Sequence, residues 1–478
     1  MDNLIRQELD MKKSLSLLML VVFLLGAVVV SPKAVHAATI PAYESSIQIQ
    51  NLDQVEVANI SIAYYNPDGT LATLPAPYTN PVADTVLPDS SNTYLPIHPD
   101  VGFKGSVVVS SDKEIAIISN LTIAATNRAL GTYTGVSQGG TAVYFPLVDK
   151  RYNVSVFSIQ NASDVVANYV IDFVPQPGGG FAEIPDVPGS LEPGAAATYN
   201  MADYNGTTDW LGSIKVTAST GRIAGVLSNV NFRIPDSPTN AVYTGFNSGS
   251  NSVALPLVME ANNGNRTGTN CQNLGPDTAT ITMSYSPSAG YPARPDDVFE
   301  NIPVNGLASK TFLDYGASKW IGSATVTVSG NNTIVCVVNQ TRPERKNSNI
   351  YEGFAPSTGS SEVVAPLIMT KNGNASNPTM TFTSINLASV DGSDISVTCD
   401  WKPMAGYPDL PDTTKSGAPA LQFNQQTNFT PDNTKWIGSA VCTENSGKDI
   451  VAVINQSREN MPIGYQRDVT SAYNGFNN

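Results

Sequence analysis

The strongest constraint on the fold is a phrase that returns along the chain. Residues 319–330 read KWIGSATVTVSG, residues 209–220 read DWLGSIKVTAST, and residues 435–447 read KWIGSAVCTENSG. A weaker copy, GFKGSVVVSSDKE at residues 102–114, carries Phe103 in the aromatic place. The aromatic positions Phe103, Trp210, Trp320 and Trp436 lie 107, 110 and 116 residues apart. Other landmarks recur in the same order. Asn51, Asn161, Asn273 and Asn386 stand in IQIQN, FSIQN, TNCQN and TSINL. Tyr133, Tyr243, Tyr351 and Tyr473 stand in TYTGV, VYTGF, IYEGF and AYNGF, and a Pro-Leu marker recurs at Pro146, Pro256 and Pro366. A repeat of about 110 residues has the length of one two-sheet sandwich.

Local patterning agrees with that size. After Gly322, Ala324, Val326 and Val328 alternate with Thr325, Thr327 and Ser329, a period of two with one apolar face. A turn cluster and a second apolar run follow, which reads as a β-hairpin; QNLGPDTATITMSY reads as another. The prediction is an all-β chain of four tandem sandwiches, residues 38–142, 143–252, 253–362 and 363–478.

The N-terminus sets the compartment. Lys12 and Lys13 precede the apolar run SLSLLMLVVFLLGAVVV, and SPKAVHA follows, so residues 1–37 read as a signal peptide cleaved after Ala37. The expected product is secreted, extracellular or on the cell surface, with no membrane span. Without Asp2, Glu8, Asp10 and the four basic residues Arg6, Lys12, Lys13 and Lys33, the chain holds 37 acidic and 22 basic residues, a net of −15. That charge argues against nucleic acid as a partner.

Four cysteines in an exported chain point to two disulfides. Cys271 falls where units one and two have Ile49 and Ile159, and Cys336 where they have Ile117 and Val226. Cys442 takes the register of Val326 and Cys399 that of Met283. The repeat frame therefore pairs Cys271 with Cys336 and Cys399 with Cys442, each bridge contributing about 4 kcal/mol through loop closure.

The hairpin QNLGPDTATITMSYSP, with its Asn-x-Gly turn, alternating strand and Tyr, resembles bacterial immunoglobulin-like modules, including cell-adhesion-related tandem repeats. The resemblance covers about twenty residues per unit; it implies immunoglobulin-like sandwiches with a surface or scaffolding role and names no ligand.

Chemistry finds little footing. Ser106, Ser213, Ser323 and Ser439 have no repeated base at a fixed offset, and His98 is the one histidine outside the leader. Catalysis is not expected. Trp210, Trp320 and Trp436 admit two readings: caps on sandwich cores, or a repeated platform for carbohydrate such as a cell-surface polysaccharide. Asp296, Asp297 and Glu300, with Asp409 and Asp412 in the related loop, read as solvated acids, with calcium as the alternative. No other cofactor is implied. The Pro-Leu strand also has two assignments. As the first strand of its unit it gives four complete sandwiches in a rod or bent chain. As the last strand of the preceding unit it leaves unit four with an open edge, which Ala38–Tyr43 of another molecule can fill, giving self-association.

Overall fold

In the computed structural model, the residues described are 43–94, 105–123, 128–151, 153–204, 206, 208–231, 239–262, 264–312, 318–342, 347–370, 372–374, 377–404, 406–424, 435–459 and 470–477. Phe103 and His98 lie outside them. The described strands form eight antiparallel sheets, two to each repeat. Among the described residues no helix is long and apolar enough to cross a membrane.

Unit two shows the plan. One sheet orders Ile184–Leu191, Ala167–Pro175, Leu211–Ala218 and Ala142–Asp149; the other orders Ala196–Asn200, Val154–Asn161, Ile223–Asn231 and Thr239–Thr244. Phe145, Phe157, Tyr169, Ile171, Val216 and Tyr243 fill the space between them. The strand carrying Pro146 pairs with Leu211–Ala218 of its own unit. The strands carrying Pro256 and Pro366, Ser252–Glu260 and Glu362–Thr370, pair likewise with Trp320–Val328 and Trp436–Glu444. The marker strand is thus the first strand of units two, three and four, and its assignment to the preceding unit is overturned.

Neither expected hairpin is one. Arg266–Asn273 and Ala279–Pro287 belong to opposite sheets, as do Trp320–Val328 and Ile334–Arg342. Both turns carry the chain across the sandwich. An inward apolar face repeats every two residues in a hairpin and in such an arch alike, so periodicity cannot separate them. The shared asparagine serves the first arch: the Asn273 amide donates to Asp277 and Ile302 carbonyls, that of Asn161 to Val165 and Leu191, and that of Asn51 to Glu56 and Val86. In unit four this position is Ser389, paired with Ile450 as Asn273 is with Ile334, so Asn386 lies three residues upstream of the true counterpart.

Both expected disulfides are present. Each joins residues directly opposite on neighbouring strands, Cys271 with Cys336 and Cys399 with Cys442, Cα atoms 4.1 and 4.0 Å apart. Unit two has Gly225, not Val226, across from Ile159.

The rod is replaced by a closed circuit. The last strands of the units pack in sequence, Arg128–Thr134 on Thr239–Thr244, that on Asn347–Glu352, that on Thr470–Asn474, and the fourth back on the first. Around them each marker strand lies against the second strand of the following unit: Ala142–Asp149 on Arg266–Asn273, Ser252–Glu260 on Asn377–Ser389, and Glu362–Thr370 on Tyr43–Asn51. Cores interlock accordingly. Leu307, Val337 and Ile350 of unit three pack into the core of unit two, Val453 and Ala472 of unit four into that of unit three, and Ile118 of unit one into that of unit four. Truncating such a borrowed side chain removes apolar contacts from two units at once. Ile350→Ala is expected to cost about 2–5 kcal/mol and to lower the urea midpoint of the units two and three signal together. Separate transitions, with only unit three shifted, would contradict the interlocked cores.

Candidate functional site

The recurring phrase can be followed atom by atom. Trp210, Trp320 and Trp436 are 0, 1 and 0% exposed. Their indole N–H groups donate to Ala182, Pro292 and Pro408 carbonyls at 3.0, 2.9 and 2.9 Å, so the polar edge of each buried ring has its partner. No face of these rings is open to a stacking ligand in this structure. The glycine two residues on is needed for close approach: a Cβ at Gly212, Gly322 or Gly438 would meet a backbone oxygen of Val174, Ser286 or Lys402 at 2.1–2.4 Å. The serine reaches the neighbouring unit. Ser106 Oγ donates to the Gly194 carbonyl at 2.6 Å and Ser213 Oγ to that of Asn305 at 2.5 Å. Ser323 and Ser439 are buried as well.

The aligned tyrosines also serve the frame. Tyr243, Tyr351 and Tyr473 donate to the carbonyls of Leu147, Leu257 and Leu367, each following the marker proline. Burial pushes all three hydroxyls up from their ordinary value.

Next to each tyrosine, on the opposite face of the last strand, sit Thr134, Thr244, Glu352 and Asn474. These four equivalent positions meet where the four last strands converge. Thr244 Oγ1 donates to the Thr134 carbonyl at 3.0 Å, the Thr244 N–H to Glu352 Oε1 at 2.6 Å, and Asn474 Nδ2 to the Glu352 carbonyl at 3.0 Å. Glu352 is the one acid in the set. Burial raises its carboxyl to about 7 from an ordinary 4.5, against the opposing pull of the Thr244 hydrogen bonds. Its charge in turn adds to the upward shift of Tyr243.

The candidate cation ligands are not gathered. Asp297 accepts from the Tyr285 hydroxyl and from Lys310 Nζ at 2.6 and 2.9 Å, while Asp296, Glu300, Asp409 and Asp412 are exposed. Among the described residues no group of three or more His, Cys, Asp or Glu is placed to hold a metal. The same loop contains a residue that sequence reading passed over. Arg294 is buried, 3.1 Å from the buried carboxylate of Glu260, with its guanidinium over the rings of Tyr285, Phe312 and Trp320. An arginine directly before a proline in GYPARPDD was its one signal. Glu352 was equally legible, as the sole charge in its column of the repeat. Compared with protein-family models and with curated proteins, the chain matches none.

A buried acid with a raised value destabilises the fold once it ionises. The folded state holds its proton up to about pH 7, the unfolded chain only to about 4.5. Stability contributed by the protonated form is therefore complete below pH 4.5 and lost as pH rises to 7, about 3 kcal/mol in all. Glu352→Gln is expected to flatten denaturant midpoints between pH 5 and 7.5 and to exceed the parent protein in stability at pH 8. An unchanged slope would place the carboxyl in contact with water.

Proposed function

We propose that this chain is an exported, non-enzymatic structural or adhesive repeat protein of the cell surface, a filament or the extracellular matrix, built from immunoglobulin-like sandwiches. One observation carries the reading. The most strongly repeated residues are spent on the architecture itself. The indole rings fill the sandwich cores, the glycine admits the backbone, and the serines of units one and two cross to the next unit. Repetition selected for an active site or a ligand platform would leave the repeated side chains accessible, since binding and chemistry need solvent-facing groups.

The two disulfides and the acidic surface suit an oxidising extracellular setting. A compact circuit of four sandwiches offers a rigid body rather than a flexible tether. Adhesive contact would then come from the outer sheets and loops, which differ from unit to unit.

The test is a panel of cell-surface polysaccharides added to the exported protein, with tryptophan emission and sugar release both followed. Neither a saturable change in emission nor released product is expected, while antibody labelling finds the protein on intact cells or in their matrix. Turnover of any member of the panel would remove the structural reading. A saturable emission change without turnover would move the protein to carbohydrate binding.

A further inference from the structure

Among the described residues, unit one has no counterpart of the marker strand that its three relatives possess. Its outer sheet has three strands, Val82–Val86, Ala58–Tyr65 and Ser106–Ser111. Among the described residues Ser106–Ser111 pairs on one side only; its counterpart Leu211–Ala218 is paired on both, the second time with the marker strand. The side chains around this position are correspondingly less buried than their counterparts. Val107 and Val109 are half-buried, whereas Ile214 and Val216 at the same positions are 0% exposed. Tyr133 is half-buried, whereas Tyr243, Tyr351 and Tyr473 are enclosed and bonded to a marker carbonyl.

The far wall of this slot gives independent evidence. In the other joints a marker strand covers the second strand of the next unit, burying Asn270 and Gln272 in unit three and Gln48 and Gln50 in unit one. Ser158 and Gln160, their counterparts in unit two, are half-buried. The absence of a marker strand among the described residues accounts for the reduced burial on both walls.

We propose that this slot between units one and two accepts the segment Ala38–Ala42 of a second copy of the chain. The siblings define what fits: an apolar residue, proline, then a second apolar residue, as in Phe145-Pro146-Leu147, Leu255-Pro256-Leu257 and Ala365-Pro366-Leu367. Ile40-Pro41-Ala42 has that pattern. Ala38 and Ile40 take the inward places of Val143 and Phe145, and Thr39 the outward place of Tyr144. Volume matches too. Phe145 packs against Gly225, where a Cβ would come within 2.7 Å of its ring; unit one has Ile117 there and needs a smaller inward side chain, which Ile40 supplies.

The donor must be another molecule. Six residues, 148–153, connect Leu147 to Val154 in unit two, and eight, 258–265, connect Leu257 to Arg266 in unit three. The counterpart of Val154 and Arg266 is Glu44, which is paired with Thr122 in its own sheet. Only Tyr43 stands between Ala42 and Glu44, and one residue cannot bridge two sheets packed about 10 Å apart and also retrace the strand. Strand addition of this kind joins copies through backbone hydrogen bonds and alternate side-chain pockets, and the inference does not depend on the structural reading of function.

The experiment compares residues 38–478 with residues 43–478 and with Ile40→Asp in the longer chain, by light scattering and amide hydrogen exchange. The longer chain is expected to form concentration-dependent oligomers in which Val107–Ser111 amides exchange at least about tenfold more slowly than in the shorter one. Ile40→Asp is expected to be monomeric, and a synthetic peptide of residues 38–43 to restore protection to the shorter chain. A monomeric longer chain, with this strand protected or not, would overturn the proposal, as would oligomers that persist in residues 43–478.

Discussion

Burial of the marker strand on both of its faces makes three of the four joints in the circuit of sandwiches. Its inward side chains, such as Val143 and Phe145, belong to the core of its own unit. Its other face lies against the second strand of the unit that follows. A strand covered on both sides has no need for alternation and reads as a continuous apolar run. That is the character of AVYFPLV, VALPLVM and VVAPLIM. The inward half of that burial is apolar, at about 25 cal/mol per Å² removed from water. The circuit is a consequence of repetition: units two, three and four each lay the same donor strand on the same acceptor face of the next unit, and the closing strands of all four complete the ring.

Polar groups at the joints set geometry more than strength. Gln272 Nε2 reaches the Ile214 carbonyl, Gln48 Nε2 the Pro366 carbonyl, and Gln340 and Asn455 exchange two amide hydrogen bonds at 3.0 and 3.2 Å. Each such bond contributes about 1 kcal/mol net, yet leaving one of these buried groups unpaired costs about 1–3. Wrong angles between sandwiches are thus penalised more than the right angle is rewarded. Glu352 is the exception that shows the rule, since at the point of convergence a residue able to ionise trades stability for a dependence on pH that Thr134, Thr244 and Asn474 do not carry.

What the sequence disclosed, and what it withheld, follows from the range of each signal. Repeated landmarks disclosed the strand content and both cysteine pairs, because Cys271 and Cys336 inherit the register of Ile49 and Ile117, which face each other directly. Arches were mistaken for hairpins because the inward face looks the same from either strand. Asn386 was aligned by letter, although Ser389 holds the place, since position in an arch is defined by its partner across the sheet, Ile450. Closure left no local trace. The residues that make it, such as Ile118, Val337 and Val453, are apolar like their neighbours, and only their outward direction reveals that something covers them. Ser213 and Glu352 were visible as letters but not as contacts, because their partners lie in other units.

A circuit built from a linear chain has one seam without a covalent link, here between units four and one. That seam has its marker strand: Glu362–Thr370 lies on Tyr43–Asn51, Gln48 bonds to Pro366, and Ile118 enters the core of unit four. Among the described residues the joint without a marker strand is the one between units one and two, where residues 135–141 tie the halves together. A short linker keeps two surfaces at high effective concentration, so association there needs less contact area than association across a gap. The missing strand therefore falls where the fold can best do without it. Moved to the seam, the same vacancy would leave the first and last units joined by their closing strands alone.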